Sequence, residues 1–171
     1  MKKQTQSVRR KLVTTVALMA AIGMAVIPAH AVSTATTTMA VSATITATCT
    51  IAATALSFGA YTQAAASSST STLTVTCTDL SAYTVGLDGG GAGATATQRY
   101  MTGATNTTAH LNYNLYSNAG NTTVWGNTTA NEVSGTGTGT AQTLTVYGQI
   151  PSGQNLPADS YSDTVNAYVY Y

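Results

Sequence analysis

The chain has 171 residues, six Lys or Arg against five Asp or Glu, and a formal net charge of +1. Five of the six cations fall within the first eleven positions, so the remainder holds one, Arg99, against all five acids. That inventory builds no basic patch, which excludes nucleic-acid binding by phosphate neutralisation and leaves nothing to attract anionic lipid.

Residues 1–31 read as a secretory signal peptide. Lys2, Lys3, Arg9, Arg10 and Lys11 form a basic head, and Leu12 to Ile27 is apolar apart from Thr14 and Thr15. Pro28 ends the run, and Ala29 and Ala31 supply the small residues of a cleavage box. A membrane anchor is the alternative, but the run is short of the roughly 20 residues that cross a bilayer. The expected mature chain starts at Val32 and carries a net charge of −4, with no lysine.

From Ala35 to Ile51 the sequence alternates. Odd positions are mostly apolar (Met39, Val41, Ile45, Cys49, Ile51) and even positions mostly hydroxylated. This is the period of half-buried extended chain. The stretch is long for one strand, so we divide it into an extension, residues 32–43, and a first domain strand ending near Ile51. Phe58-Gly-Ala-Tyr61 follows, and the small residues Ala64 to Ser71 read as a loop. Strands are expected at Thr72–Cys77 and Ala82–Leu87, and a glycine turn over Asp88–Gly93. Arg99–Met101, Leu111–Tyr116 and Thr123–Trp125 read as further extended pieces, and Gly135-Thr-Gly-Thr-Gly139 as a flexible connector. Leu144–Gly148 is a strand, Pro151 to Pro157 a loop, and Tyr161–Tyr171 one closing strand.

Both cysteines of the chain, Cys49 and Cys77, lie in the exported part, where a disulfide is the default. The loop it closes corresponds to roughly 3.5 kcal/mol of chain entropy. A metal site is the alternative and would need more ligands than two Cys and His110. No stretch after the signal shows helical period. About seven short strands, rich in Thr and Tyr, point to an all-β, immunoglobulin-like sandwich.

The ordered set Ala47-Thr-Cys49, Phe58-Gly-Ala-Tyr61, Leu73-Thr-Val-Thr-Cys77, Arg99-Tyr-Met101, Tyr113-Asn-Leu-Tyr116, Trp125-Gly126, Gly135–Gly139, Leu144–Gly148, Ile150–Gly153 and Tyr161-Ser-Asp163 resembles the spore coat protein U domain family. That family includes the pilins of archaic chaperone–usher pili. Gln149, where a basic residue is common, and Asp159-Ser160, where a glycine often precedes the tyrosine, depart from its pattern. The resemblance implies an incomplete sandwich over residues 44–171, lacking its last strand. A periplasmic chaperone fills the groove first. The extension of the next subunit then replaces it at an outer-membrane usher, giving a head-to-tail homopolymer at the cell surface that supports adhesion and biofilm.

The residues are compatible with that scheme. Side chains two apart point the same way, so Ala35, Thr37, Met39, Val41 and Ala43 can enter successive pockets, with Met39 and Val41 the largest plugs. The alternative for this stretch is the first strand of the chain's own sheet. Alternatives for the whole are a spore or extracellular coat protein and a carbohydrate-binding adhesin domain, in which tyrosines and Trp125 would line a groove. One domain with an extension favours a fibre shaft over a tip.

Catalysis needs titratable groups gathered in a cleft. After the signal the chain offers His110, Arg99 and five scattered acids, with no Gly-x-Ser-x-Gly elbow. Asp159 and Asp163 are the nearest to a carboxylate pair and read as solvated loop residues. The Gly-Thr-Gly-Thr-Gly run lacks the lysine and helix of a phosphate loop. The expectation is a non-enzyme without cofactor or metal, with Arg99 in one structural ion pair with Asp88.

Overall fold

The computed structural model describes residues 32–91 and 93–171. The expected signal peptide and its cleavage box, Ala29 and Ala31, lie outside the described residues. The chain divides between Ser42 and Ala43. Residues 32–42 carry no regular secondary structure and every one is exposed.

The second unit, from Ala43 on, is all β. Its strands are β1 (Cys49–Ala53), β2 (Ser67–Cys77), β3 (Ala82–Leu87), β4 (Arg99–Gly103), β5 (His110–Tyr116), β6 (Val133–Thr136), β7 (Gln142–Ile150), β8 (Tyr161–Ser162) and β9 (Ala167–Tyr170). A six-stranded sheet in the order β1-β2-β7-β5-β4-β8 faces a three-stranded sheet in the order β6-β3-β9. All the strand pairings are antiparallel.

Period-2 alternation puts Leu73, Val75 and Cys77 of β2, Leu111, Tyr113 and Leu115 of β5, and Val146 and Ile150 of β7 into one buried layer. Tyr83, Val85 and Leu87 of β3 face them from the second sheet. Trp125 sits between the two. Its backbone N–H donates to Leu115 on one sheet at 2.9 Å, and its indole N–H to Val85 on the other at 2.8 Å. A buried indole needs such an acceptor.

Arg99 is 0% exposed. The expected ion pair with Asp88 is corrected: the guanidinium donates to backbone carbonyls, Asp88 (2.9 Å), Leu87 (3.0 Å), Ala96 (2.8 Å) and Trp125 (2.8 Å), and to Asn114 Oδ1 (2.9 Å). Only a planar fork of donors serves carbonyls arriving from so many directions. The Asp88 carboxylate instead accepts from the Gly90 and Asn166 N–H groups.

Four element boundaries also differ from the sequence reading. The first strand starts at Cys49, because its partner β2 ends at Cys77, directly opposite. The expected loop over Ala64–Ser71 becomes strand from Ser67. Here Ser67, Ser69 and Ser71 project hydroxyls onto the carbonyls of Phe58 (3.3 Å), Ser57 (2.6 Å) and Thr54 (2.5 Å). The expected glycine connector is partly strand and closely packed: Gly135 and Thr136 belong to β6. A Cβ at Gly135 would meet the Tyr83 ring at 2.4 Å, and one at Gly137 the Thr78 carbonyl at 2.2 Å. Finally, Tyr161–Tyr171 is two strands in different sheets. Asp163 ties the crossing down by accepting from Gly91 N–H (2.8 Å) and Tyr113 Oη (2.7 Å).

Candidate strand-accepting groove

A sandwich covers its core only where both sheets extend over it. Here β1 pairs only with β2, and β9 only with β3, so one edge of each is unpaired among the described residues. Between these edges the core is open. A cleft of about 400 Å³ has residues 53–58 on one bank and residues 161–167 on the other. Core side chains form its floor: Leu73, Leu87, Tyr113, Leu115 and Val146, with Met101. It shares Leu56, Phe58, Met101 and Tyr161 with a larger cleft of about 730 Å³ running on to Leu111 and Leu156. At the opposite end it shares Ala53, Val165 and Ala167 with a recess under Ile51 and Tyr168. The three run on as one trough, with core side chains along the floor of its central cleft and polar residues along much of the rest. It narrows toward β1 and β9, where some Cα atoms of the two strands come within 8 Å.

Local chemistry explains the banks. Gly148 of β7 lies under the first bank, where a Cβ would meet Phe58 at 2.8 Å and Leu56 at 2.9 Å. Glycine there lets both side chains lie flat along the trough. The Phe58 ring also packs edge-on against Tyr113, 6.0 Å between centroids. Gly59 turns the chain at φ +68, and Tyr61 then pins the 151–154 loop, donating to the Pro151 carbonyl (2.9 Å) and accepting from Gln154 N–H (3.1 Å).

Carboxylates hold the second bank. Asp88 accepts from Asn166 N–H (2.9 Å), Asn166 Nδ2 (2.7 Å), Gly90 N–H (3.0 Å) and Tyr168 Oη (3.4 Å). Burial pushes its carboxyl up, but these bonds outweigh that and leave it below its ordinary value. Burial, reinforced by donation to Asp163, pushes the Tyr113 phenol far up, so it stays a donor.

Cys49 and Cys77 form the disulfide, joining β1 to β2 with Cα atoms 4.1 Å apart. The candidate donor residues Ala35, Thr37, Met39 and Val41 lie in the 32–42 unit, and Ala43 opens the domain; all five are exposed. Met39 and Val41 are each 84% exposed, and Ile45, in phase with them, 86%.

The residues weighed for chemistry are not gathered. His110 is exposed and its ring packs against Tyr100, 4.3 Å between centroids. Asp159 accepts from the Thr105, Asn106 and Ser160 N–H groups; the Asn106 and Thr105 amides hold its carboxyl below the ordinary value. Asp163 serves Gly91, Tyr113 and Thr164. Trp125 is 1% exposed and belongs to the core. Among the described residues, no group of three or more His, Cys, Asp or Glu is placed to hold a metal. The floor residues Leu73, Leu87, Tyr113 and Leu115 lie in strands the sequence indicated, whereas Leu56 and Phe58 of the first bank stand outside any alternating run. Val165, Ala167 and Val169 did alternate and were a usable signal.

The family model described as Spore Coat Protein U domain matches residues 35–168. Protein U of Myxococcus xanthus is 38% identical over 64 residues, which are 37% of this chain and 36% of that protein. The chain therefore spans about a third of that relative's length. Among solved structures, the fold is similar to a chain of the CsuC–CsuE chaperone–tip adhesion subunit pre-assembly complex from archaic chaperone–usher Csu pili of Acinetobacter baumannii. The TM-score is 0.54 at 26% identity, covering 75% of this chain and 40% of that one. With a model matched along nearly all of the two-sheet sandwich, the chain belongs to the spore coat protein U domain family.

Proposed function

We propose that this protein is a structural pilus subunit, polymerised by donor-strand exchange. The observation that carries this is a trough floored by core side chains between two unpaired strand edges, in a chain that also carries an exposed, alternating segment. Residues 32–43 of one copy enter the trough of the next. Ala35, Thr37, Met39, Val41 and Ala43 point at the floor, and the backbone pairs with the banks. Ten extended residues reach about 33 Å, enough to cross a sandwich. Burying Met39 and Val41 contributes about 1.5–3 kcal/mol each. An inserted strand needs about 4.8 Å on either side, so insertion must part β1 from β9 where they now converge. The contact is head-to-tail and does not close, so it propagates into a filament.

The pre-assembly complex in the structural comparison supports a chaperone as a partner; in this reading it is periplasmic and occupies the trough first, and an outer-membrane usher is the site of exchange. In this reading residues 1–31 are removed on export, the product is an extracellular fibre, and its role is surface adhesion and biofilm formation without catalysis. A coat protein is the second reading, favoured by the description of the matched domain.

The test compares the exported mature chain with one lacking residues 32–43, each co-expressed with its chaperone. The expected result is detergent-resistant polymer from the first, and monomer or chaperone complex from the second. Stable chaperone-free monomers from both would sink the fibre and leave the coat protein.

A further inference from the structure

The outer face of the six-stranded sheet carries a separate concavity of about 510 Å³. Alternation turns Asn112, Asn114 and Tyr116 of β5 away from the core, opposite to Leu111, Tyr113 and Leu115. Register sets Tyr100 of β4 beside Asn112, and Gln149 of β7 beside Asn114. Gln98 also lines the concavity.

Three properties of this surface point to one class of ligand. It is neutral: no carboxylate or lysine lines it, and the one guanidinium there, Arg99, is committed to carbonyls and to Asn114. Its amides divide into fixed and available. Asn114 is fixed, accepting from Arg99 at 2.9 Å and donating to the Thr97 carbonyl at 3.2 Å. The side-chain amides of Gln98, Asn112 and Gln149 make no hydrogen bond among the described residues. Each offers two donors and an acceptor to a ligand. Finally, two aromatic rings flank the amides. Tyr116 is partly exposed, and Tyr100 has its plane set by the His110 ring.

We propose that this face binds a neutral carbohydrate. Sugar hydroxyls both donate and accept, which suits side-chain amides, and the C–H face of a pyranose suits a tyrosine ring. Anionic polymers are disfavoured, since the surface offers no free cation and the expected mature chain carries −4. A neighbouring subunit would want a contact with an apolar centre and polar rim, whereas this concavity is lined by the amides of Gln98, Asn112, Asn114 and Gln149 and no aliphatic side chain but Pro151. The site lies on the outer side of the sheet whose inner side floors the trough, and stands whether or not the chain polymerises. In a fibre it would repeat along the shaft, so weak single sites would add by multivalency.

The test uses the full mature chain in whichever assembly state it purifies. The probes are cellohexaose, chitohexaose, maltohexaose and mannohexaose, titrated by calorimetry, together with pull-down on insoluble cellulose and chitin. Saturable binding to at least one probe is expected. Tyr116→Ala should weaken it about five- to tenfold. The exposed-amide double variant Asn112→Ala/Gln149→Ala should weaken it comparably, with melting temperature and polymer yield unchanged. Binding to none of the probes, or binding by both variants as tight as the parent's, overturns the proposal. Loss of lateral fibre association in these variants without any sugar binding would make the face a subunit contact and also overturn it.

Discussion

Arg99 shows how much one residue can hold. Its guanidinium gathers carbonyls from the ends of β3, the 88–98 loop and Trp125, and so stitches both sheets to the turn between them. Burial pulls its pKa down, opposed by Tyr113 and by the carboxylates of Asp88 and Asp163. Removing the fork leaves several carbonyls without donors, each a desolvated acceptor. Arg99→Gln should cost about 3–5 kcal/mol in denaturant unfolding, and Arg99→Lys nearly as much, since an ammonium has fewer donors. A Gln variant within about 1 kcal/mol of the parent would contradict this account. Asp88 supplies a pH test at the same scale. Its hydrogen bonds depress the folded pKa, so the unfolded chain binds a proton more readily. The stability it contributes is complete above the unfolded value, about 4, and is lost as pH falls through the lower folded value. Asp88→Asn should therefore be less stable than the parent at about pH 7 and converge with it at about pH 2. Curves that stay parallel across that range would remove Asp88 as a latch on the second bank.

Elements whose pattern is written locally were legible in the sequence. β3 runs over Ala82–Leu87 as the alternation indicated, and β5 and β7 extend the expected strands by one to two residues at each end or less. What was not legible depends on a distant partner. The alternation from Ala35 to Ile51 runs on with few exceptions, yet ladder pairing begins only at Cys49, opposite the end of β2. Residues 67–71 look like loop by composition, and they become strand because β7 pairs with them and residues 54–58 accept their hydroxyls. The groove is a property of edges, and no local window reveals which edges stay unpaired. The glycine run makes the same point testably. Glycine usually marks freedom, but Gly137 is buried against Thr78 and Cys77. Its N–H donates to Ser81 at 2.7 Å, and its carbonyl accepts from Leu80 at 2.9 Å. Gly137→Ala should destabilise by about 1–3 kcal/mol through overpacking against backbone that cannot move aside. An exposed control in the same run, Thr138→Ala, should stay within about 0.5 kcal/mol. If both behave alike, the run is a tether.

At the scale of the whole molecule, the low charge density limits how the proposed polymer would hold together. One arginine and five acids after the expected signal leave little Coulombic energy to hold copies together, so cohesion must come from burial and backbone pairing. Such a contact is indifferent to screening. Polymer yield and persistence should be unchanged from about 0.1 to 1 M NaCl, while the screening length falls from about 10 to 3 Å. The same contact is intolerant of charge inside the trough. In the full mature chain, Met39→Asp/Val41→Asp places two carboxylates where the floor offers Leu73, Leu115 and Val146 and no cation. Polymerisation should be abolished, with the variant still captured by its chaperone, because its own trough is intact. A control with the same charges on the hydroxylated positions, Thr38→Asp/Ser42→Asp, should polymerise. In the proposed register those side chains would face solvent. If the two double variants polymerise equally well, the odd positions are not the plugs, and the strand enters in another register or not at all.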